Sequence, residues 1–281
     1  MNSGRRAQSW DDCDGDVKQY IQSIVKMVSD FFGNDLVGVY LHGSLAMGSY
    51  YRPKSDIDLI IVVESVLNPN LRKSIANSLV RLSKVRPTLG NLEVSVITQE
   101  VAKFFSHPCP FEVHYSSDWH EKIINDQVDF SQNNEDPDLA AHITYVVKRG
   151  IVLKGKKINE VFGSVPWRYF LASILDDFGW IVENENILES PFYSVLNICR
   201  VIRTLTERDE NVFSKDEGGE WALVSLPKRY HPLIQKALDV YRSERVVTSE
   251  ERRTGGVPWK REELLEFRDL ARERAATLKQ A

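Results

Sequence analysis

The segment that most limits how this chain can fold is Leu41–Val63, LHGSLAMGSYYRPKSDIDLIIVV. It reads as the end of a strand, a tight Gly-Ser turn, a short polar connection and a second strand that carries Asp56 and Asp58. Side chains alternate faces along an extended strand, so Asp56 and Asp58 share one face while Ile57, Leu59 and Ile61 point into a core. Two neighbouring carboxylates repel unless a cation lies between them. On an otherwise apolar strand that pair supplies the hard oxygen ligands of a Mg²⁺ site, whose other positions fall to water and substrate phosphates. Gly43 and Ser44 sit just upstream, where glycine lets backbone amides approach closely and a hydroxyl helps to hold a phosphate. Such a pair by itself is more often only a turn. Its fixed distance to SDID, with strands on both sides, raises its weight.

The flanking sequence supports a layered α/β arrangement. Val17–Phe32 has apolar residues at helical spacing and ends at Gly33-Asn34, and Leu36–Leu41 is a short strand. Asn70–Leu82 reads as a second amphipathic helix and Leu92–Thr98 as a third strand. On that strand Glu93 and Ser95 share a face. If it runs antiparallel beside the SDID strand, Glu93 lies near Asp56 and Asp58. The competing reading is a solvated strand-face Glu. His107, His114 and His120, with Cys109, lack zinc spacing and read as structural. Trp119, after a strand end, is placed to wall a ring-shaped ligand.

Gln127–Pro137, QVDFSQNNEDP, is polar and reads as a linker. Beyond it the pattern turns helical: Pro137–Arg149, a continuation through Ile151–Lys157 to a turn, Trp167–Glu183, Pro191–Glu207, Pro232–Arg242 and a charged helix in the tail that opens at Val246. Ser214 followed by Glu217 is a capping-box pattern. The expected architecture is an N-terminal α/β domain with a small mixed sheet, residues 1–130, and a C-terminal helical bundle, residues 131–281. A net charge of −4 argues against a dedicated nucleic-acid binder and suits a cationic substrate. Three widely spaced cysteines read as reduced thiols in a cytoplasm. The first residues, MNSGRRAQSWDDCDGD, contain no apolar signal segment, and no run approaches a membrane span.

GSLAMGSYYRPKSDIDL, with LEVSVI downstream, resembles the nucleotidyltransferase superfamily that shares its fold with DNA polymerase beta. CRVIRTLTERDENVFSKDEGGEWALVSLP, ending in a helix with Tyr241, is similar to the C-terminal domain of the aminoglycoside adenylyltransferases that modify streptomycin and spectinomycin. The resemblance implies ATP as co-substrate and two Mg²⁺ ions. Asp56 and Asp58 would bind the ions, and Glu93 would be both the third carboxylate and the general base. Ser44 and Ser55 would contact the ATP phosphates or their metals, Arg200 and Lys215 the triphosphate, and Tyr241 the nucleotide. Trp119 would lie near the drug. In this family the site forms between the two domains.

Family members that act on streptomycin present a Trp and acidic residues from the helical domain. The corresponding stretch here is DDFGWIVENENILESPF, where Trp180 is either that residue or a core aromatic. Asp177, Glu185 and Glu189 could supply negative charge to a cationic ligand. The implied function is transfer of AMP to a hydroxyl of streptomycin or spectinomycin, giving resistance, by a monomer acting on a cationic aminocyclitol without membrane or nucleic acid. Two other readings stay open: the same chemistry on a different metabolite, protein or tRNA end, and a non-catalytic nucleotide-binding regulator.

Overall fold

A computed structural model of the chain describes residues 7–245, 247–248 and 250–280. Residues 1–6, which open the stretch lacking an apolar signal, and Val246, which opens the tail, lie outside them. The described residues divide into two compact units, residues 8–173 and residues from 174 onward, the division falling within one helix. Among the described residues no helix is long and apolar enough to cross a membrane.

The first unit is built on a five-stranded mixed sheet. Helix α1 (Gly15–Phe32) leads into β1 (Leu36–His42), a one-turn helix α2 (Gly43–Ala46) and β2 (Ile57–Val63). Helix α3 (Pro69–Ser83) crosses to β3 (Leu92–Thr98), followed by α4 (Gln99–Lys103), β4 (Cys109–Phe111), β5 (Val113–Tyr115) and α5 (Ser117–Ile124). Then come β6 (Asn134–Asp136), α6 (Leu139–Arg149), β7 (Ile151–Gly155), α7 (Ile158–Val161) and α8 (Trp167–Val182). The sheet order is β5-β3-β2-β1-β7, and β4 pairs with β6 in a separate ribbon.

Both faces of the sheet are covered, which is why β2 reads as a near-continuous apolar run, IDLIIVV. On one face Ile57, Leu59 and Ile61 meet Val17, Ile21, Ile24 and Val28 of α1 and Ile75 and Leu79 of α3. The α1 positions are those that the spacing predicts. On the other face Tyr40, Ile60, Val62 and Ile97 meet Leu139, Ile143 and Val146 of α6. Each such side chain contributes about 1.5–3 kcal/mol by leaving water.

Three sequence expectations change. β3 runs parallel to β2, not antiparallel, because α3 carries the chain back across the sheet before β3 begins. Ile151–Gly155 is an edge strand paired with β1 and not a helical continuation; its short run carries too little pattern to separate it from the end of α6. Gln127–Pro137 is no open linker: Val128 and Phe130 pack on the core, and Asn134–Asp136 pairs with β4.

A buried ion pair holds that segment. Arg72 of α3 donates to Glu112 Oε2 at 2.7 Å and to the carbonyls of Phe130 at 3.3 Å and Gln132 at 3.0 Å. The same Glu112 oxygen accepts from Leu67 N at 2.8 Å. Two of the histidines read as structural are hydrogen-bonded within the fold: His114 Nδ1 with Ser95 Oγ at 2.9 Å, and His120 Nδ1 with the Tyr115 hydroxyl at 2.7 Å.

The second unit packs α10 (Lys215–Ser225), α11 (His231–Arg242) and α12 (Arg261–Gln280) around α9 (Pro191–Glu207). The capping box forms as its spacing predicts: Glu217 N donates to Ser214 Oγ at 3.1 Å and Ser214 N to Glu217 Oε2 at 2.7 Å. Gly218 lets α10 lie directly against α9, since a Cβ there would stand 2.6 Å from the backbone N and Cα of Arg200.

Candidate active site

Strand pairing assembles the first group of functional side chains. His42 on β1 faces Asp58 on β2, and Asp58 faces Glu93 on β3, so the three form one row across the sheet. The row lies on the face covered by α6, one step from the buried pairs Ile60–Ser95 and Ser95–His114. Asp56 stands just before β2, where its Oδ1 accepts from Asn91 N at 2.5 Å.

The turn after β1 is shaped by this row. Gly43 has φ +67°, and a Cβ at that position would stand 1.9 Å from Asp58 Oδ2. A side chain there collides with the carboxylate and strains the backbone, so only glycine fits. Ser44 is the second residue of the one-turn helix α2, its hydroxyl buried with no hydrogen-bond partner among the described residues. Ser55 is buried, and its Oγ accepts from Tyr51 N at 2.9 Å. Gly43→Ala should therefore displace Asp58 and lower turnover about 100-fold, the usual cost of moving a reacting group by about 1 Å. Steady-state rates, with far-UV circular dichroism as the folding control, read this; a variant with wild-type turnover would show that Asp58 has no fixed position to lose.

Helix α6 places a histidine beneath the carboxylates, which the sequence reading missed. His142 Nε2 lies 3.2 Å from Asp138 Oδ2 and 3.9 Å from Glu93 Oε1. Burial alone would lower its pKa, but Glu93 and Asp138 outweigh burial and raise it to about 10. These two carboxylates favour the protonated ring. His42, whose ring centre is 5.0 Å away, is buried without a partner for either nitrogen among the described residues. Burial and then the His142 charge press His42 well below its ordinary value, so it is neutral. Enclosure pushes Glu93 above the usual carboxylate range, with His142 pulling the other way. The only sequence signal for His142 is a polar residue one turn into the apolar helix LAAHITYVVKR.

The donor set suits a hard cation. Asp56, Asp58 and Glu93 offer carboxylate oxygens, and Ser44, in the turn whose Gly43 abuts Asp58, offers a buried hydroxyl with no hydrogen-bond partner among the described residues. Among the described residues no three His, Cys, Asp or Glu side chains form a group able to hold an ion by themselves. Mg²⁺ taken up with a triphosphate does not require such a cage: one or two carboxylates suffice when water and phosphate oxygens complete the shell. Trp119, on α5, is half-buried and packs edge-on against Phe111 and His114.

A second group forms in the helical unit. Asp177 of α8 accepts through Oδ2 from the Tyr193 hydroxyl at 2.9 Å and from Asn197 Nδ2. Asn197 Oδ1 in turn accepts from Arg200 Nη2. Lys215 Nζ lies 4.7 Å from the centre of the Tyr193 ring. Three of the sequence-predicted residues, Asp177, Arg200 and Lys215, are thus joined through two that were missed, Tyr193 and Asn197. Tyr241 is buried on α11, its ring stacked on Phe192 at 6.5 Å. Trp180 is 44% exposed, which removes the core-aromatic reading. Glu185 and Glu189 pair with Arg261 and Arg253.

A mixed sheet with an aspartate pair behind a Gly-Ser turn, and a third carboxylate in register on the next strand, defines a nucleotidyltransferase domain. The nucleotidyltransferase family model matches residues 21–162, and the model for the C-terminal domain of aminoglycoside adenylyltransferases matches residues 160–257. The spectinomycin 9-adenylyltransferase of Staphylococcus aureus is 32% identical over 233 residues, 80% of this chain and 85% of that protein. The aminoglycoside (3'')(9) adenylyltransferase of Escherichia coli is 23% identical over 236 residues, 80% of this chain and 85% of that protein. In fold, the chain is similar to the spectinomycin adenyltransferase of Enterococcus faecalis solved with ATP and spectinomycin, with a TM-score of 0.72 at 22% identity over 94% of this chain and 99% of that one. The chain belongs to the aminoglycoside adenylyltransferase family.

Proposed function

We propose that this enzyme transfers AMP from ATP to a hydroxyl of spectinomycin and releases pyrophosphate. The observation that carries the reading is the His42–Asp58–Glu93 row beside Gly43-Ser44. The relatives named for spectinomycin, and the similar structure solved with ATP and spectinomycin, support the choice of co-substrate and acceptor.

In this reading Asp56 and Asp58, with Glu93 as the third carboxylate, hold two Mg²⁺ ions, which when bound neutralise the triphosphate and align the attacking and leaving oxygens. Ser44 and Ser55 contact the phosphates; the buried, unpartnered Ser44 hydroxyl supports this for Ser44. Glu93 removes the proton from the acceptor hydroxyl. The acceptor oxygen then bonds to the α-phosphorus as the bond from phosphorus to the pyrophosphate oxygen breaks. Arg200 and Lys215 offset the charge that gathers on pyrophosphate. Tyr241 lies by the nucleotide, and Trp119 and Asp177 by the drug. The three buried cysteines are unpaired, in keeping with a reducing cytoplasm.

A second acceptor, streptomycin, is favoured by one observation, the 44% exposure of Trp180 on the same helix as Asp177. The test incubates the protein with ATP, Mg²⁺ and each drug and looks by mass spectrometry for the gain of one adenylyl group. Adenylylated spectinomycin is expected with the wild type and with Trp180→Ala, and adenylylated streptomycin with the wild type alone. ATP consumption with neither drug modified would overturn the acceptor and leave the nucleotidyltransferase domain standing.

A further inference from the structure

Helix α9 carries three polar side chains on one stripe, Tyr193, Asn197 and Arg200, at positions i, i+4 and i+7. The middle one is fully buried on a helix whose other buried side chains are mostly apolar. A buried amide is costly unless its hydrogen bonds are made, and here both ends of the amide are used. Its Nδ2 donates to Asp177 Oδ2, and its Oδ1 accepts from Arg200 Nη2. Tyr193 makes a parallel link, its hydroxyl donating to the same Asp177 oxygen at 2.9 Å while its ring lies under Lys215 Nζ at 4.7 Å. Both donors take Asp177 Oδ2, and Oδ1 accepts no hydrogen bond from a described residue.

We propose that Tyr193 and Asn197 are positioning residues that tie the two triphosphate cations, Arg200 and Lys215, to the acceptor carboxylate Asp177. The proposal rests on the function read above. Asp177 is held by two donors on one oxygen, which fixes the carboxylate plane and aims Oδ1 at a cationic group of the acceptor. The same two side chains fix the cations, Asn197 by a charge-assisted bond and Tyr193 by the face of its ring. When ATP fixes Arg200 and Lys215, it also fixes Asn197 and Tyr193, and with them Asp177. The acceptor then meets an oriented carboxylate in place of one it must order itself, and that ordering free energy is what couples the two ligands.

The two links separate by substitution. Tyr193→Phe keeps the ring under Lys215 and removes only the hydroxyl on Asp177. Tyr193→Leu removes both. Asn197→Ser loses the reach to Asp177 and Arg200 together. A lost hydrogen bond to a charged group is read as about a ten-fold weakening. The experiment measures ATP affinity by titration calorimetry without acceptor, then kcat and KM for spectinomycin at saturating ATP, with thermal unfolding of each variant alongside. Tyr193→Phe should raise the spectinomycin KM about ten-fold, with a much smaller change in ATP affinity or kcat. Tyr193→Leu and Asn197→Ser should weaken both ligands.

A purely structural role predicts instead that Tyr193→Leu and Asn197→Ser lose stability and that the Phe variant keeps the wild-type ATP affinity, kcat and KM. A Phe variant with the wild-type spectinomycin KM would overturn the link to Asp177. Leu and Ser variants with wild-type ATP affinity would overturn the link to the cations. If the wild type itself shows no saturable use of spectinomycin, the acceptor reading fails and takes the Asp177 arm with it. The ATP titrations still decide the cation arm.

Discussion

Glu93→Gln is expected to lower AMP transfer about a thousand-fold, within the range that a positioned general base supplies, while ATP binding stays largely intact. The amide keeps the size of the side chain and one oxygen toward the row, but it cannot take a proton. Glu93 sits across from Asp58 on the neighbouring parallel strand, and the pairing of β3 with β2 fixes its backbone position. The substitution therefore changes chemistry and leaves the fold as it is. Pyrophosphate release measures the rate and calorimetry measures ATP affinity. Full activity in the variant would sink the base assignment and move proton removal to another group. Loss of ATP binding instead would show that Glu93 acts mainly as a metal ligand.

Arg72→Ala is expected to destabilise the first unit by about 3–5 kcal/mol, the cost of removing one partner from a buried ion pair. The pair is well shielded, with Arg72 5% and Glu112 9% exposed. Deleting the guanidinium leaves Glu112 charged and buried with the Leu67 N–H at 2.8 Å as its remaining donor among the described residues, orphans the Phe130 carbonyl, and leaves the Gln132 carbonyl to Asn134 Nδ2 at 3.4 Å. For a unit of this size that corresponds to a fall in melting temperature of about 10 °C. Replacing both partners by apolar residues of similar volume should recover much of the loss, since an apolar pair has no desolvation to repay. Thermal unfolding of the single and double variants checks both statements. A single variant that melts with the wild type would show that water reaches the pair and compensates it.

These two sites differ in how far the sequence announces them. Glu93 is legible because it falls at the start of a strong strand pattern, LEVSVIT, downstream of SDID. The Arg72–Glu112 pair is not, because 40 residues separate the partners and neither lies in a distinctive motif. The same contrast holds in the helical unit. Ser214 and Glu217 announce the start of α10 from three residues apart, as a capping box does. Asn197 gives no such signal, since a single Asn on an apolar helix becomes meaningful only when Asp177 and Arg200 are seen on either side of it.

By itself the sequence determined the local elements: the helix over Val17–Phe32, the strands bearing Asp58 and Glu93, the Gly-Ser turn, and the helix starts at Pro191 and Ser214. Each of these is governed by contacts within a few residues, through side-chain periodicity, caps and turn conformation. The tertiary structure alone decided that β3 runs parallel to β2, that Ile151–Gly155 becomes an edge strand, and that His142 comes to lie buried beside Glu93. Those outcomes depend on which strand pairs with which and on charges brought together from distant parts of the chain. Pairing energy and burial of charge are properties of the assembled sheet and its covering helix, and no window of sequence contains them.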